Sequence, residues 1–141
     1  MPHVVSMAEP KPIRPSDIQW KPYAALPAGA ENSVLIGELS APGPLVFRVR
    51  LPPGLRIMPH WHPEDRVYTV ISGLFRIGFC SSFDEKSLQV MGPGSVISVP
   101  ARQNHFHFSG QEGYEAQINS TGPTATTYSN PADDPRKSLS K

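Results

Sequence analysis

The sequence predicts one all-β domain, a sandwich or barrel of short strands. Seventeen prolines and eleven glycines stand among 141 residues, about a fifth of the chain where average usage is roughly 12%. Long helices tolerate neither residue, whereas turns between strands use both. Apolar and polar residues alternate over short segments bounded by turn residues, and no helical periodicity is sustained. A chain of this length buries enough surface for one core.

Proline and glycine divide the N-terminal part of the chain. Prolines at 10, 12 and 15 exclude regular helix, so residues 1–30 are predicted to form a proline-rich arm with a short edge strand at 17–20. A strand is expected at 33–39. The segment 45–51 alternates apolar and basic residues, which indicates one buried and one solvated face.

The same pattern continues to the end of the predicted barrel, residues 31–129. Further strands are expected, about ten in all, at 56–62, 66–71, 74–80, 88–91, 96–99, 105–108, 114–119 and 124–128. The polar segment 81–87 is predicted to be an irregular loop or a single helical turn. Residues 130–141 are polar and are expected to form a C-terminal tail.

Charge and cysteine content exclude several classes of protein. Thirteen Lys and Arg against twelve Asp and Glu give a net charge of +1, so nothing indicates binding to nucleic acid or to a membrane surface. The single cysteine, Cys80, excludes an internal disulfide and is expected to pack within the strand at 74–80. No apolar stretch has the length of a signal peptide or a membrane span, so we expect a cytoplasmic protein.

Four of the five histidines form two pairs, His60-x-His62 and His105-x-His107. Residues two apart on a strand point to the same face, so each pair presents two imidazoles in one direction. Imidazole is a ligand for Zn, Cu, Fe and Ni, and two such strands together would supply three or four nitrogens. One pair alone would more often decorate a polar strand face; two pairs favour a metal site.

The spacing around both pairs resembles the two motifs of the cupin superfamily. The first motif runs Gly, five residues, His-x-His, three or four residues, Glu, six residues, Gly. The second runs Gly, five residues, Pro-x-Gly, two residues, His, three residues, Asn. The matching residues are Gly54, His60, His62 and Gly73 in the first motif and Gly94, Pro100 and His105 in the second. Together with the strand pattern, the resemblance extends over roughly residues 33–128.

The resemblance implies a double-Greek-key jelly-roll β-barrel with a divalent metal in its mouth. By the same resemblance His60, His62 and His105 are the candidate metal ligands. The metal would be Fe, Ni, Zn or Mn, and the sequence does not choose among them. Cupins also commonly pair their sheets across a dimer, so a homodimer is expected.

The chain departs from the first motif at Arg66, which stands where the metal-binding Glu is usual. A guanidinium remains protonated, and at about 4 Å from a dication it would cost on the order of 8 kcal/mol. Three outcomes stay open. The histidines hold the metal while Arg66 binds a substrate carboxylate or pairs with Glu64 or Asp65; the metal is lost; or one of these acids supplies the missing ligand. We favour the first, which also favours an anionic substrate.

Further candidates for substrate contact are Tyr68, His107 and Gln117, beside Arg66. Tyr68 has the same strand parity as Arg66 and should line the barrel, so these two are the catalytic candidates; the Tyr68 hydroxyl could instead only satisfy a buried carbonyl. His107 is either a neutral histidine bonded to a neighbouring strand or a contact to metal or ligand. Gln117 either completes a polar pocket or lies on a wet outer face.

The second motif has two departures. Arg102 stands where Gly is usual, which suggests a different turn before His105. Ser109 stands where Asn is usual, at a position late in its strand, and it indicates little.

These features predict a metal-dependent enzyme that acts on a small, anionic organic molecule. Oxygenases, lyases, isomerases and decarboxylases all occur on the cupin fold, so the fold does not select the reaction. One alternative is a binding protein whose metal site is lost. Another is a structural dimer module in which the arm, residues 8–22, lies across a partner.

Overall fold

The computed structural model describes residues 9–137, in which the chain forms eleven strands. Their bounds are β1 (Lys21–Pro22), β2 (Glu31–Ile36), β3 (Gly43–Leu51), β4 (Arg56–Trp61), β5 (Arg66–Gly73), β6 (Phe75–Gly78), β7 (Gln89–Met91), β8 (Val96–Val99), β9 (His105–Phe108), β10 (Tyr114–Gly122) and β11 (Thr127–Tyr128). Three short 3₁₀ turns, at Pro15–Asp17, Glu85–Ser87 and Pro131–Asp133, are the helical elements of this part of the chain. The second is the single turn expected within 81–87.

The strands form two antiparallel sheets. One has six strands in the order β1-β2-β3-β10-β5-β8, and the other has five in the order β11-β4-β9-β6-β7. From β3 onward the chain crosses from one sheet to the other at every step except from β6 to β7, which pair within one sheet. This topology is the expected double-Greek-key jelly roll, and the prediction of an all-β barrel is confirmed.

The core lies between the sheets and follows strand alternation. On β3 the side chains of Leu45, Phe47 and Val49 are buried. The arginines that alternate with this buried row, Arg48 and Arg50, form ion pairs on the outer face. The register pairs Arg48 with Gln117 and Phe47 with Ile118 across β3 and β10, so inward and outward faces match along the whole ladder.

Two close approaches of strands require glycine. Gly73 ends β5 at a φ of +74°, and a side chain there would overlap the Gly113 carbonyl oxygen. Gly78 on β6 lies beneath the ring of Phe106, which is fully buried. That ring occupies the space that any side chain at residue 78 would need, and Phe83 covers it with a ring centroid 5.0 Å away.

The arm and the cysteine differ from the sequence-based expectation. The edge strand predicted at 17–20 forms instead at Lys21–Pro22, because Pro15–Asp17 closes a 3₁₀ turn in which the Arg14 N–H donates to the Asp17 carboxylate at 2.8 Å. Cys80 is exposed rather than packed, because β6 ends at Gly78 and the thiol donates to the Ser82 carbonyl oxygen.

The predicted arm, residues 1–30, and the predicted tail, residues 130–141, lie partly outside the described residues, since the structure does not describe 1–8 and 138–141. Within the arm, Trp20 lies against the guanidinium of Arg50, 4.3 Å from ring centroid to Cζ. Within the tail, Arg136 donates to the Thr126 carbonyl oxygen at 2.6 Å. Between residues 9 and 137 no helix is long and apolar enough to cross a membrane.

Ser109 clamps the turn that leads into β4. Its hydroxyl donates to the Pro52 carbonyl oxygen at 2.7 Å and accepts from the Leu55 N–H at 2.8 Å. Its backbone N–H donates to the Leu55 carbonyl oxygen at 2.9 Å. The side chain is fully buried, so this position carries a structural role that its place in the sequence did not indicate.

Replacing Ser109 with Ala should lower the free energy of unfolding by about 1–3 kcal/mol, because a buried N–H and a buried carbonyl lose their partner. Denaturation in urea measures the change. The control is Ser87→Ala, which removes a hydroxyl exposed at a turn and should change stability by less than about 0.5 kcal/mol. Equal effects of the two substitutions would contradict the clamp.

Candidate metal centre

The pairing of β4 with β9 brings the histidine pairs together. His60 is the penultimate residue of β4, His62 follows that strand, and His105 begins β9. The register places His60 directly opposite His105. Strand parity then points His60 and His62 toward the same side, so three imidazoles meet between the sheets.

These three imidazoles form a compact, buried cluster. One ring nitrogen of each lies within 4.8 Å of the others, a separation compatible with a single metal ion. Ring centroids are 4.3 Å apart for His60 and His105, 5.0 Å for His60 and His62, and 5.1 Å for His62 and His105. None of the three is more than 5% exposed, so the cluster is enclosed.

Backbone carbonyls set the tautomer of each ring. The Nδ1 atoms of His60, His62 and His105 lie 2.7, 2.9 and 2.9 Å from the carbonyl oxygens of Met58, Ala125 and Gln103. A carbonyl oxygen only accepts, so each Nδ1 carries the proton and each Nε2 keeps its lone pair. Metal-binding histidines are oriented in this way.

His62 tests directly whether the cluster fits a metal. Its Nε2 is buried and has no hydrogen-bond partner among the described residues. A buried acceptor without a partner costs about 1–3 kcal/mol, and a metal ion would satisfy it. The donor set of neutral imidazoles therefore fits a divalent transition metal.

Burial keeps the histidines in their metal-binding form. It lowers the pKa of His105 to about 4 and holds the pKa values of His60 and His62 well below the ordinary range. The positive charge of Arg66 lowers the pKa of His62 further, and a proton on His105 would do the same to His60. The rings are therefore neutral near pH 7, as metal ligands must be.

Arg66, at the start of β5, lies beside the histidines on the wall of the same cavity. Its side chain is 4% exposed. Its Nε donates to Glu64 at 3.1 Å, its Nη2 to the Thr124 hydroxyl at 2.8 Å, and its Nη1 to the Tyr68 hydroxyl at 3.1 Å. Of the arrangements left open by the sequence, the structure has the pairing with Glu64. Asp65 is engaged elsewhere, since it accepts from the Ala101 N–H at 2.7 Å.

Tyr68 and His107 both lie in the histidine cavity. The Tyr68 hydroxyl is 3.5 Å from the Nε2 of His105 and is buried. The Nδ1 of His107 donates to the Arg76 carbonyl oxygen on β6 at 3.2 Å, which is the bond to a neighbouring strand that the sequence suggested. The centroid of its ring lies 5.7 Å from that of His60. His107 therefore lines the cavity as well.

The space beside the histidines is small. The cavity measures about 20 Å³, enough for roughly one water molecule. Its lining combines hydroxyl, imidazole and apolar groups: Tyr23, Leu26, Val49, His60, His62, Arg66, Tyr68, His107, Tyr114, Ile118 and Thr126. The sequence did not indicate Tyr23, Leu26 or Thr126, because the first two belong to the proline-rich arm and reach the barrel only after it folds back.

Gln117 does not join this cavity. Its carboxamide oxygen accepts from the Nε of Arg48 at 3.0 Å, and its nitrogen donates to Asn119 at 3.3 Å. Tyr114 and Ile118, on the opposite face of the same strand, line the cavity instead. The inward orientation considered for Gln117 is therefore wrong, because β10 uses its apolar face for the core.

Arg102 keeps the backbone shape of the glycine it replaces. Its φ is +64°, in the left-handed region that costs a residue with a Cβ roughly 1–2 kcal/mol. Its N–H donates to the His62 carbonyl oxygen at 2.7 Å, which ties the turn to the first histidine pair. The turn before His105 therefore has a backbone conformation that favours glycine, the residue usual at this position in the motif.

Fold and site together define a class: a jelly-roll barrel that encloses three histidines able to hold a metal. The chain belongs to the cupin family, because the family model described as Cupin matches residues 38–131. No curated protein matches the chain.

Several solved structures share this fold. The polyketide cyclase RemF from Streptomyces resistomycificus is 14% identical, with 94% of each chain covered and a TM-score of 0.71. The DMSP lyase DddQ from Ruegeria pomeroyi DSS-3 is 20% identical, with 82% of this chain and 64% of that chain covered and a TM-score of 0.63. KdgF from Halomonas sp. is 16% identical, with 77% and 91% covered and a TM-score of 0.59. At these identities the likeness concerns the fold alone.

Proposed function

We propose that this chain is a metal-dependent cupin that binds a small anionic organic molecule at a three-histidine site and transforms it. His60, His62 and His105 would hold the divalent metal. The observation that carries the proposal is the buried Nε2 of His62, which has no partner and belongs to a cluster whose ring nitrogens converge within 4.8 Å.

A bound metal would supply Lewis-acid or oxygen-activating chemistry, including chemistry of the dioxygenase type. The residues around it would orient the substrate and hold a proton. The Tyr68 hydroxyl accepts from Arg66 at 3.1 Å, so its own proton points away from the guanidinium and toward the histidines. Tyr68 is therefore the group placed to donate to a bound molecule, and His107 bounds the same space. Since that space holds about one water molecule, the side chains that line it would have to move apart to admit an organic substrate.

The charge of the site favours an anion. Three neutral imidazoles leave the charge of a divalent metal uncompensated, because no carboxylate belongs to the cluster. Arg66 adds little to this charge, because Glu64 pairs with it. The solved relatives named above include a cyclase and a lyase, so the reaction itself must come from experiment.

Metal analysis of protein purified without an affinity tag tests the proposal. We expect stoichiometric Fe, Ni, Zn or Mn in the wild type and loss of that metal in His105→Ala, with the fold retained by circular dichroism. If neither sample contains metal after loading, the proposed metal site is wrong.

Oxygen uptake tests the type of reaction once metal binding is established. If the reaction is an oxygenation, protein loaded anaerobically with iron and then exposed to oxygen should show substrate-dependent oxygen uptake.

The alternative is a ligand-binding cupin without metal, favoured by Arg66 at the position of the usual glutamate. Arg66→Glu separates the two. If the wild type contains no metal but Arg66→Glu binds one, the alternative is supported. The wild-type histidines would then be arranged as ligands and would lack only the fourth one. Metal in the wild type would reject it.

We also propose that the protein is a cytoplasmic homodimer. The outer face of the six-stranded sheet exposes Val67, Ile71 and Val96, between 37% and 62% of each residue, and such apolar side chains suit a partner sheet. Analytical ultracentrifugation of the wild type and of Val96→Glu tests the dimer, and a monomeric wild type would reject it. Cell fractionation tests the location.

A further inference from the structure

The pair of Glu64 and Arg66 is the most deeply buried ion pair of the described residues. Their side chains are 10% and 4% exposed. Each of the other five pairs has at least one side chain more exposed than either of them, as in Arg48 with Glu115 at 21% and 23%. A buried pair is costly to desolvate and is retained only where its geometry is good. Arg66 lies on the wall of the histidine cavity, and Glu64 pairs with it there.

The geometry of the pair is a closed ring that includes Thr124. Arg66 donates through Nε to one carboxylate oxygen of Glu64 at 3.1 Å and through Nη2 to the Thr124 hydroxyl at 2.8 Å. Thr124 in turn donates to the other carboxylate oxygen at 2.9 Å. Both oxygens of Glu64 therefore accept a hydrogen bond, and two of the three guanidinium nitrogens donate within the ring.

The remaining nitrogen explains why the charge of Arg66 matters to the histidines. Nη1 donates to the Tyr68 hydroxyl, which itself lies 3.5 Å from the Nε2 of His105. One oxygen atom thus separates the guanidinium from a candidate metal ligand. A positive charge this close would oppose a dication in the cluster unless another group neutralises it.

We propose that Glu64 is the counter-charge that makes Arg66 compatible with a metal in the histidine cluster, and that Thr124 positions this carboxylate. The inference rests on the proposed metal site. The Glu64–Arg66 pair is then a net-neutral unit in place of the family's ligand carboxylate. It leaves the metal's charge available to an anionic substrate while preventing Arg66 from repelling the metal.

Zn²⁺ affinity, measured by competition with a chromophoric chelator, tests this role without any assay of activity. Glu64→Gln should weaken Zn²⁺ binding about 10–100-fold, as is typical when groups that support metal ligands are altered. Arg66→Met should bind Zn²⁺ at least as tightly as the wild type. The double variant should return to near wild-type affinity, a recovery that a merely structural role of Glu64 would not produce.

The matched control is Glu115→Gln, since Glu115 also pairs with an arginine, Arg48, but on the outer face of the sheet. It should leave the affinity unchanged. If the wild type binds Zn²⁺ tightly and Glu64→Gln binds it equally well, the role of Glu64 is overturned while the metal site stands. The same holds if the double variant binds Zn²⁺ as weakly as Glu64→Gln. If Glu64→Gln does not fold, Arg66→Met decides: weaker Zn²⁺ binding by this variant than by the wild type overturns the inference. A wild type that binds no Zn²⁺ overturns the proposed metal site as well.

Discussion

Replacing Arg66 with Met should lower the free energy of unfolding of the metal-free protein by about 3–5 kcal/mol, the usual effect of removing one partner of a buried ion pair. The carboxylate of Glu64, which is 10% exposed in the wild type, would keep only the Thr124 hydroxyl as a partner from the ring. The guanidinium would also leave its position 5.4 Å from the ring centroid of Phe47. Guanidinium chloride denaturation of protein stripped of metal measures the change.

Two further variants separate the charge effect from lost packing. Glu64→Gln together with Arg66→Met removes both charges and should be less destabilised than Arg66→Met alone, because no unpaired ion stays buried. Arg48→Met breaks an ion pair on the outer face and should cost no more than about 1 kcal/mol. If Arg66→Met and Arg48→Met had the same effect, the burial of the Glu64–Arg66 pair would not matter to stability.

Zn²⁺ at a free concentration one hundred times its dissociation constant should stabilise the wild type by about 2.7 kcal/mol, because the ion binds the folded chain in preference to the unfolded one. In His62→Gln this stabilisation should disappear. That substitution removes the Nε2 atom that is buried without a partner. Thermal unfolding with and without Zn²⁺ measures the effect: Zn²⁺ should raise the unfolding temperature of the wild type but not that of His62→Gln.

His107→Gln is the matched control, because His107 is buried in the same cavity but lies outside the three-residue group whose nitrogens converge. It should keep the Zn²⁺-dependent shift. A shift lost in both variants would make His107 a fourth ligand and would correct the proposed set. A wild type whose unfolding does not respond to Zn²⁺ would contradict the metal site itself.

Much of the fold was predictable because it depends on short-range patterns. On β3 the alternation of Phe47 and Arg48 predicts which face is buried, and pairing with β10 preserves that assignment. The structure also brings together the three histidines that the motif spacing named. Two strands with fixed parity, aligned so that His60 opposes His105, leave little freedom in where those side chains meet.

Local patterns were insufficient wherever a contact depends on how distant segments pack. Gln117 faces outward because the core took the apolar face of its strand, although its own alternation allowed either orientation. Tyr23 lies in the cavity wall, although the sequence places it in the arm, residues 1–30, and outside the predicted barrel. Arg102 adopted a glycine conformation, which its residue type alone disfavours, where its N–H meets the His62 carbonyl.

The sequence by itself determined the barrel and the histidine cluster, since strand parity and turn glycines act over a few residues. It also revealed that Arg66 stands where a carboxylate is usual. Only the tertiary structure decided where that charge goes. Thr124 is 58 residues from Arg66 along the chain. Only the pairing of β10 with β5 brings its hydroxyl to Arg66 and Glu64, so that one arginine becomes half of a neutral pair.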